Sequence, residues 1–276
     1  MDKLRGLEVI GIASGKGGVG KTTVSINLAV ALAQRGRRVM LFDADLGMAN
    51  AQIALGVQAP FNIGHVLRGE KTLEEVVVTT RQGVRLVPGA SGMRDLAALD
   101  MTQIAELVHA FDQLQEPLDY LLIDVAAGIS PAVLAFMSAS RRRFVVFCDQ
   151  PASIADAYGL IKVMALEQHL DEIYLIPNMV ESAQEGRQLY RRMNDVCVRF
   201  LGTPVRYLPA IEADELVQQA LRKYQPVFEA APGSAGARDF RALAAEVDRL
   251  PALGVPSGRM QFFMGRMVHA PDAGQR

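Results

Sequence analysis

The chain has 276 residues, with 29 Lys+Arg against 30 Asp+Glu and a formal net charge of −1. That balance gives no basis for a protein dominated by nucleic-acid contacts, and no apolar run reaches the roughly 20 residues that span a bilayer. Half the residues are hydrophobic, enough for a sizeable core, while the only two cysteines, Cys148 and Cys197, lie far apart outside any C-x-x-C spacing and read as reduced structural thiols of a cytoplasmic protein.

From the N-terminus, MDKLRGLEV lacks the character of a signal peptide. The first strand is expected over Val9–Ala13, and others over Val39–Asp43, Val84–Pro88, Tyr120–Asp124, Phe144–Cys148, Tyr174–Pro177 and Val205–Leu208. Several of these are nearly continuous apolar runs, as in strands covered on both faces. Helical patterns alternate with them, near 22–35, 101–114, 131–140, 153–169, 183–200, 214–223 and 237–249. The alternation predicts an α/β fold, a doubly wound and mainly parallel sheet with helices on both faces. Residues 1–250 read as one domain. Two prolines and two glycines in LPALGVPSGR, residues 250–259, set off 251–276 as a linker and C-terminal segment. From Arg259 to His269, Met260, Phe263, Met264, Met267 and Val268 recur at helical spacing, with Phe262 off the stripe. The pattern predicts an amphipathic helix that lies on an anionic membrane or docks on the domain's own core.

Gly15-Lys16-Gly17-Gly18-Val19-Gly20-Lys21-Thr22 fits G-x-x-x-x-G-K-[ST] between a strand and a helix. Glycines let successive N–H groups turn inward around phosphate oxygens, and the helix dipole that follows favours the anion. Lys21 then faces the β/γ-phosphates and the Thr22 hydroxyl ligates Mg²⁺, with Thr23 beside it. Lys16 is a second lysine at the front of the loop. Its position lets the ammonium reach a nucleotide held by a second subunit, the logic of an arginine finger supplied in trans. Asp43 and Asp45 end one strand, and their spacing of two places both carboxylates on one side if the strand continues. Asp124 ends another strand, where it is placed to hold Mg²⁺ through water, and Ala126-Ala127-Gly128 lets backbone N–H groups approach the γ-phosphate.

With Lys16 in K-G-G-V-G-K-T-T, and with D-A-D-L-G-M-A-N and I-D-V-A-A-G-I, the chain resembles the deviant-Walker-A ATPases of the MinD/ParA class. CDQPASIADAYGLIKVM, NMVESAQEGRQLY and RMQFFMGRMVH look closer still to its flagellar-number regulators, the FlhG/FleN type. The resemblance implies ATP and Mg²⁺ as cofactors and slow ATP hydrolysis by an ATP-dependent homodimer, with Lys16, Lys21 and Asp45 catalytic. Asp45 would orient the attacking water, Asp43 would support the metal-side switch, and Gly128, Ser153 and Asp156 would serve the switch and dimer face. Asn178 would contact adenine. The implied partners are a polar flagellar GTPase of the FlhF type, a flagellar transcriptional activator and an anionic membrane. The implied location is cytoplasmic and peripheral at the inner face of the cell membrane, at a pole, and direct DNA binding is not expected.

Three departures from the family pattern stand out. Val125 replaces a hydroxyl residue, Ala210-Ile211-Glu212-Ala213-Asp214 lacks the proline of the adenine loop, and the short N-terminus leaves little room for an activating segment. Arg141-Arg142-Arg143 reads as a solvated turn, and the four dispersed histidines suggest no transition-metal site. Of the rival functions, a DNA or cargo partition ATPase calls for a stronger basic face. A reductase of the nitrogenase iron-protein type calls for paired cysteines in the switch regions. A non-hydrolysing nucleotide sensor remains compatible with Val125.

Overall fold

Glu8–Ser14 forms the first strand, β1, buried along its whole length, as its unbroken apolar run predicts. In the computed structural model, which describes residues 6–45, 49–90, 99–253 and 261–263, β1 lies mid-sheet between two parallel neighbours. They are β5 (Tyr120–Ala127) and β6 (Arg142–Phe147). On the β5 side follow β2 (Val39–Ala44), β4 (Arg85–Val87) and the two-residue β3 (Val78–Thr79), which pairs antiparallel with β4. On the β6 side follow β7 (Ile173–Val180) and β8 (Arg206–Tyr207), and β9 (Ile211–Glu212) pairs with the far end of β7.

Strand alternation divides the core into two layers. Val9 and Ala13 of β1, with Leu121, Ile123 and Val125 of β5, face α5 (Met101–Gln113), α6 (Pro131–Ala139), α7 (Pro151–Lys162) and α8 (Ala183–Leu201). Ile10, Ile12, Tyr120 and Leu122 face α1 (Lys21–Gln34), α9 (Glu215–Arg222), α10 (Val227–Ala230) and α11 (Ala235–Val247). The doubly wound reading therefore holds, and each of the seven predicted strands is found within about three residues of its expected ends. Three one-turn helices near residues 51–76 and strands β3 and β9 are too short to leave a periodic signal.

Two readings need correction. Arg142 and Arg143 are not solvated: they open β6 at 1% and 4% exposure. Arg142 Nε donates to Glu8 Oε2 at 2.9 Å and Nη1 to the Tyr174 hydroxyl at 2.7 Å, so its charge is buried but paired. In the C-terminal segment, the expected helical stripe does not run through Phe263, which sits in a turn with φ +59°. Phe262, placed off the stripe, is as fully buried as Phe263, and both rings pack on Phe111 of α5. Successive helical residues diverge by about 100°, so a turn is what lets two adjacent rings enter one aromatic cluster. Met260, Met264, Met267 and Val268 lie outside the described residues.

Candidate nucleotide site

The site forms where β1, β2 and β5 end together. The loop after β1 reaches α1 through Gly20, whose φ of +83° is left-handed backbone that glycine adopts without strain. Gly15 is a glycine for a different reason: a Cβ there would run into the backbone carbonyl of Asp156 on α7. The phosphate loop is therefore packed directly against the middle of α7. Gly17 and Gly18 are exposed, and Val19 is buried as the loop's apolar anchor.

Lys21, the first residue of α1, is 7% exposed and its Nζ lies 2.7 Å from Asp124 Oδ1. The Thr22 hydroxyl is 3.4 Å from the same ammonium. Asp124 is fully buried on β5, and Ser25, one turn along α1, donates to its Oδ1 at 2.8 Å. Its Oδ2 is buried with no hydrogen-bond partner. Such an orphaned carboxylate oxygen beside a lysine and a threonine hydroxyl fits a Mg²⁺-bound water as its missing partner. Ser25 escaped the sequence reading. Its signal was weak but present, a hydroxyl four residues after the loop lysine on the inward face of the helix.

Asp43 faces Asp124 directly in the register of β2 and β5. It is 1% exposed, accepting from Asp45 N at 3.2 Å and Ala51 N at 2.9 Å. Burial, with the neighbouring Asp124 charge second, pushes its carboxyl up to about 7. β2 ends at Ala44, so Asp43 and Asp45 are not two same-side residues of a continuing strand. The chain instead turns so that the Asp45 N–H caps the Asp43 carboxylate, and Asp45 is left at the half-buried edge of the site.

The remaining sequence-predicted residues divide into near and far. Lys16 is exposed at the mouth of the loop and its ammonium meets no carboxylate among the described residues; Asp156, whose backbone abuts the preceding Gly15, is exposed as well. Gly128 donates its N–H to Ser14 O at 2.9 Å, tying the end of β5 to the start of the loop. Ser153 faces inward at 2% exposure and accepts from Cys148 N at 3.1 Å, so it shapes the turn into α7 rather than presenting a hydroxyl to a second subunit. Val125 points into the apolar layer under α5–α8, the opposite sheet face from Asp124. A hydroxyl at that position would not reach Lys21 and Ser25 on the α1 face.

Asn178, at 5% exposure on β7, donates Nδ2 to Val19 O at 2.8 Å. It therefore braces the phosphate loop as well as lining a pocket with Gly20, Thr23, Ile211, Glu212 and Asp214. The loop that lacks the proline is ordered by other means. Ile211 pairs with Asn178, and Asp214 caps α9 by accepting from Leu216 N at 2.8 Å and from Gly236 N at 2.8 Å.

Residues 10–227 match the model of the CobQ/CobB/MinD/ParA nucleotide binding domain. The chain belongs to this family. Among curated relatives of this family member, the antiactivator FleN of Pseudomonas aeruginosa is 41% identical over 99% of this chain and 98% of its own length. The flagellum site-determining protein YlxH of Helicobacter pylori is 34% identical over 94% and 89%. Of solved structures, the septum site-determining protein MinD of Pyrococcus horikoshii, complexed with Mg-ADP, aligns over 88% of this chain and 96% of its own. That alignment has a TM-score of 0.74 and 28% identity. The MinD/ParA nucleotide-binding domain thus stands on sequence and fold together, and the likeness to flagellar regulators on sequence.

Proposed function

We propose that this chain is an ATP-binding and hydrolysing dimer switch that regulates flagellar number or placement. The observation that carries the reading is the pair of lysines in one loop with opposite surroundings: Lys21 buried against Asp124, Lys16 exposed and without an ion pair among the described residues. Lys21, Thr22 and the loop N–H groups bind the phosphates of ATP. Thr22, Asp124 and Asp43 form the metal side, and Mg²⁺ bound there neutralises phosphate charge. Asp45 orients the attacking water, and Asn178 with the 210–214 loop holds adenine. Lys16 crosses to the nucleotide of a second copy and stabilises charge developing at the γ-phosphate, with Asp156 serving the dimer face.

The 41% identity to an antiactivator and the 34% identity to a flagellum site-determining protein support the flagellar setting. A polar GTPase of the FlhF type and a flagellar transcriptional activator fit as partners. The C-terminal segment would meet anionic lipid when the dimer forms and dock on the domain otherwise, and the buried Phe262 and Phe263 support the docked arrangement. No helix among the described residues is long and apolar enough to cross a membrane.

Phosphate release and vesicle sedimentation test the reading. The protein should hydrolyse ATP, Asp45→Ala should bind ATP without releasing phosphate, and ATP should drive the wild type onto anionic vesicles. Met267→Glu should abolish vesicle binding with ATP binding intact. Undiminished phosphate release by Asp45→Ala would remove the assigned water-orienting role. Vesicle binding indifferent to ATP would remove the membrane switch.

A further inference from the structure

α6 spans the distance between the nucleotide loops and the C-terminal chain. Ser130, its N-cap, accepts from Val133 N at 3.4 Å and follows Gly128, which is bonded to the start of the phosphate loop, by two residues. Nine residues later, about 13 Å along the axis, the helix ends in carbonyls that must find partners outside it. Five consecutive carbonyls, from Met137 to Arg141, are all taken. Arg143 donates to Met137 O at 3.0 Å, Ser138 O at 3.5 Å, Ser140 O at 2.5 Å and Arg141 O at 3.2 Å. The one carbonyl that Arg143 does not take, that of Ala139, accepts the N–H of Phe262 at 3.3 Å.

The neighbouring arginines hold the stretch where the C-terminal segment begins. Arg142 Nη2 donates to Pro251 O, and Arg141 Nη2 donates to Leu253 O at 3.0 Å. The Phe262 ring lies 5.1 Å from Phe111 and 6.4 Å from Phe136 of α6, and Phe136 is 5.8 Å from Phe42, the residue before Asp43. The same helix end is thus completed by Arg143 and by the C-terminal backbone, while its partners along the row grip the residues just upstream.

We propose that Arg141 and Arg142, gripping residues 251–253, and the Ala139 carbonyl, holding Phe262 at the helix end that Arg143 completes, form a latch on the C-terminal chain, and that weakening it frees that chain without nucleotide. The inference rests on the reading of the C-terminal segment as switchable and names the contacts that set its resting position. Arg142 is the wrong place to test it, because removing it strands the buried Glu8 carboxylate. Arg141 is half-buried and its bond to Leu253 O can be removed with less damage.

The test is chymotrypsin cleavage after Phe262 and Phe263 in the full-length, nucleotide-free protein. Both rings are fully buried, so cleavage reports the opened population when closing is fast. Arg141→Ala should accelerate cleavage there about tenfold, equivalent to about 1.4 kcal/mol, and should speed amide exchange at Phe262 alike. Arg35→Ala, which loosens the Asp248 pairing at the end of α11 instead, should change neither. Wild-type cleavage in Arg141→Ala, or equal acceleration in Arg35→Ala, would overturn the latch. Anionic vesicles without ATP separate the two readings. Faster cleavage without vesicle binding keeps the latch and removes the membrane role, whereas unchanged cleavage removes the latch whatever the vesicles do.

Discussion

Lys21→Ala should weaken the fold and the nucleotide affinity through two separable effects. The substitution takes the ammonium 2.7 Å from Asp124 Oδ1 out of a fully buried site and leaves that carboxylate with only the Ser25 hydroxyl. Breaking a buried ion pair from one side costs about 3–5 kcal/mol, because the remaining charge is stranded. Lys21 sits under a loop that is itself exposed, so water can partly reach the vacated space, and about 3 kcal/mol is expected. For a chain of this size that lowers the melting temperature by about 6–12 °C. Circular dichroism melts without nucleotide measure it, since any ligand that binds only the folded state would mask the effect. The double variant Lys21→Ala/Asp124→Asn removes the stranded charge and should recover more than half of the loss. Calorimetric titration should separately show ATP affinity down at least tenfold, or about 1.4 kcal/mol. A single variant that melts with the wild type, or a double variant less stable than the single, would refute the account of Asp124 as a buried carboxylate held by Lys21.

Other outcomes follow from neighbouring residues. Gly15→Ala should abolish ATP binding in calorimetry while the far-ultraviolet spectrum is retained, because the new methyl group meets the Asp156 backbone and displaces the loop from α7; unchanged affinity would mean the close approach is dispensable. Asp43, raised to about 7 against an unfolded value near 3.9, keeps a proton in the folded state between those values. Its stabilisation is complete below about pH 4 and is lost as pH rises through about 7. Urea midpoints without nucleotide should therefore fall between pH 5 and pH 8, with a flatter slope in Asp43→Asn, and parallel slopes would contradict the raised carboxyl. Burial pushes the Cys197 thiol up to about 11, and Cys148 is 4% exposed. Iodoacetamide at pH 8 should thus modify neither cysteine until urea unfolds the chain, and rapid native labelling would contradict the buried placement.

The parts of the fold legible in sequence were those with long apolar periodicity. β1, β5, β6 and β7 are buried on both faces and α8 has one wet face, so each writes its burial into the residue pattern. The phosphate loop was legible because its chemistry is local, eight consecutive residues between a strand and a helix. What the sequence concealed depends on partners far along the chain. The three arginines look like a charged turn until Glu8 and the 251–253 carbonyls, more than 100 residues away, are placed beside them. Ser25 looks like any helical serine until β5 brings Asp124 to it. Asp43 and Asp45 look equivalent until a turn stops the strand between them. Phe262 and Phe263 look like two sides of a helix until one aromatic cluster takes both.

The central claim is that Lys16 completes the site of a second copy, and light scattering of two variants with ATP and Mg²⁺ tests it most directly. Lys16→Ala should bind ATP and remain monomeric, because the charge it delivers across the interface is gone. Asp45→Ala should bind ATP, pair and stay paired, because pairing is intact and only water orientation is lost. The two should differ by a factor of two in mass under identical conditions. A Lys16→Ala protein that pairs with ATP as the wild type does would contradict the account.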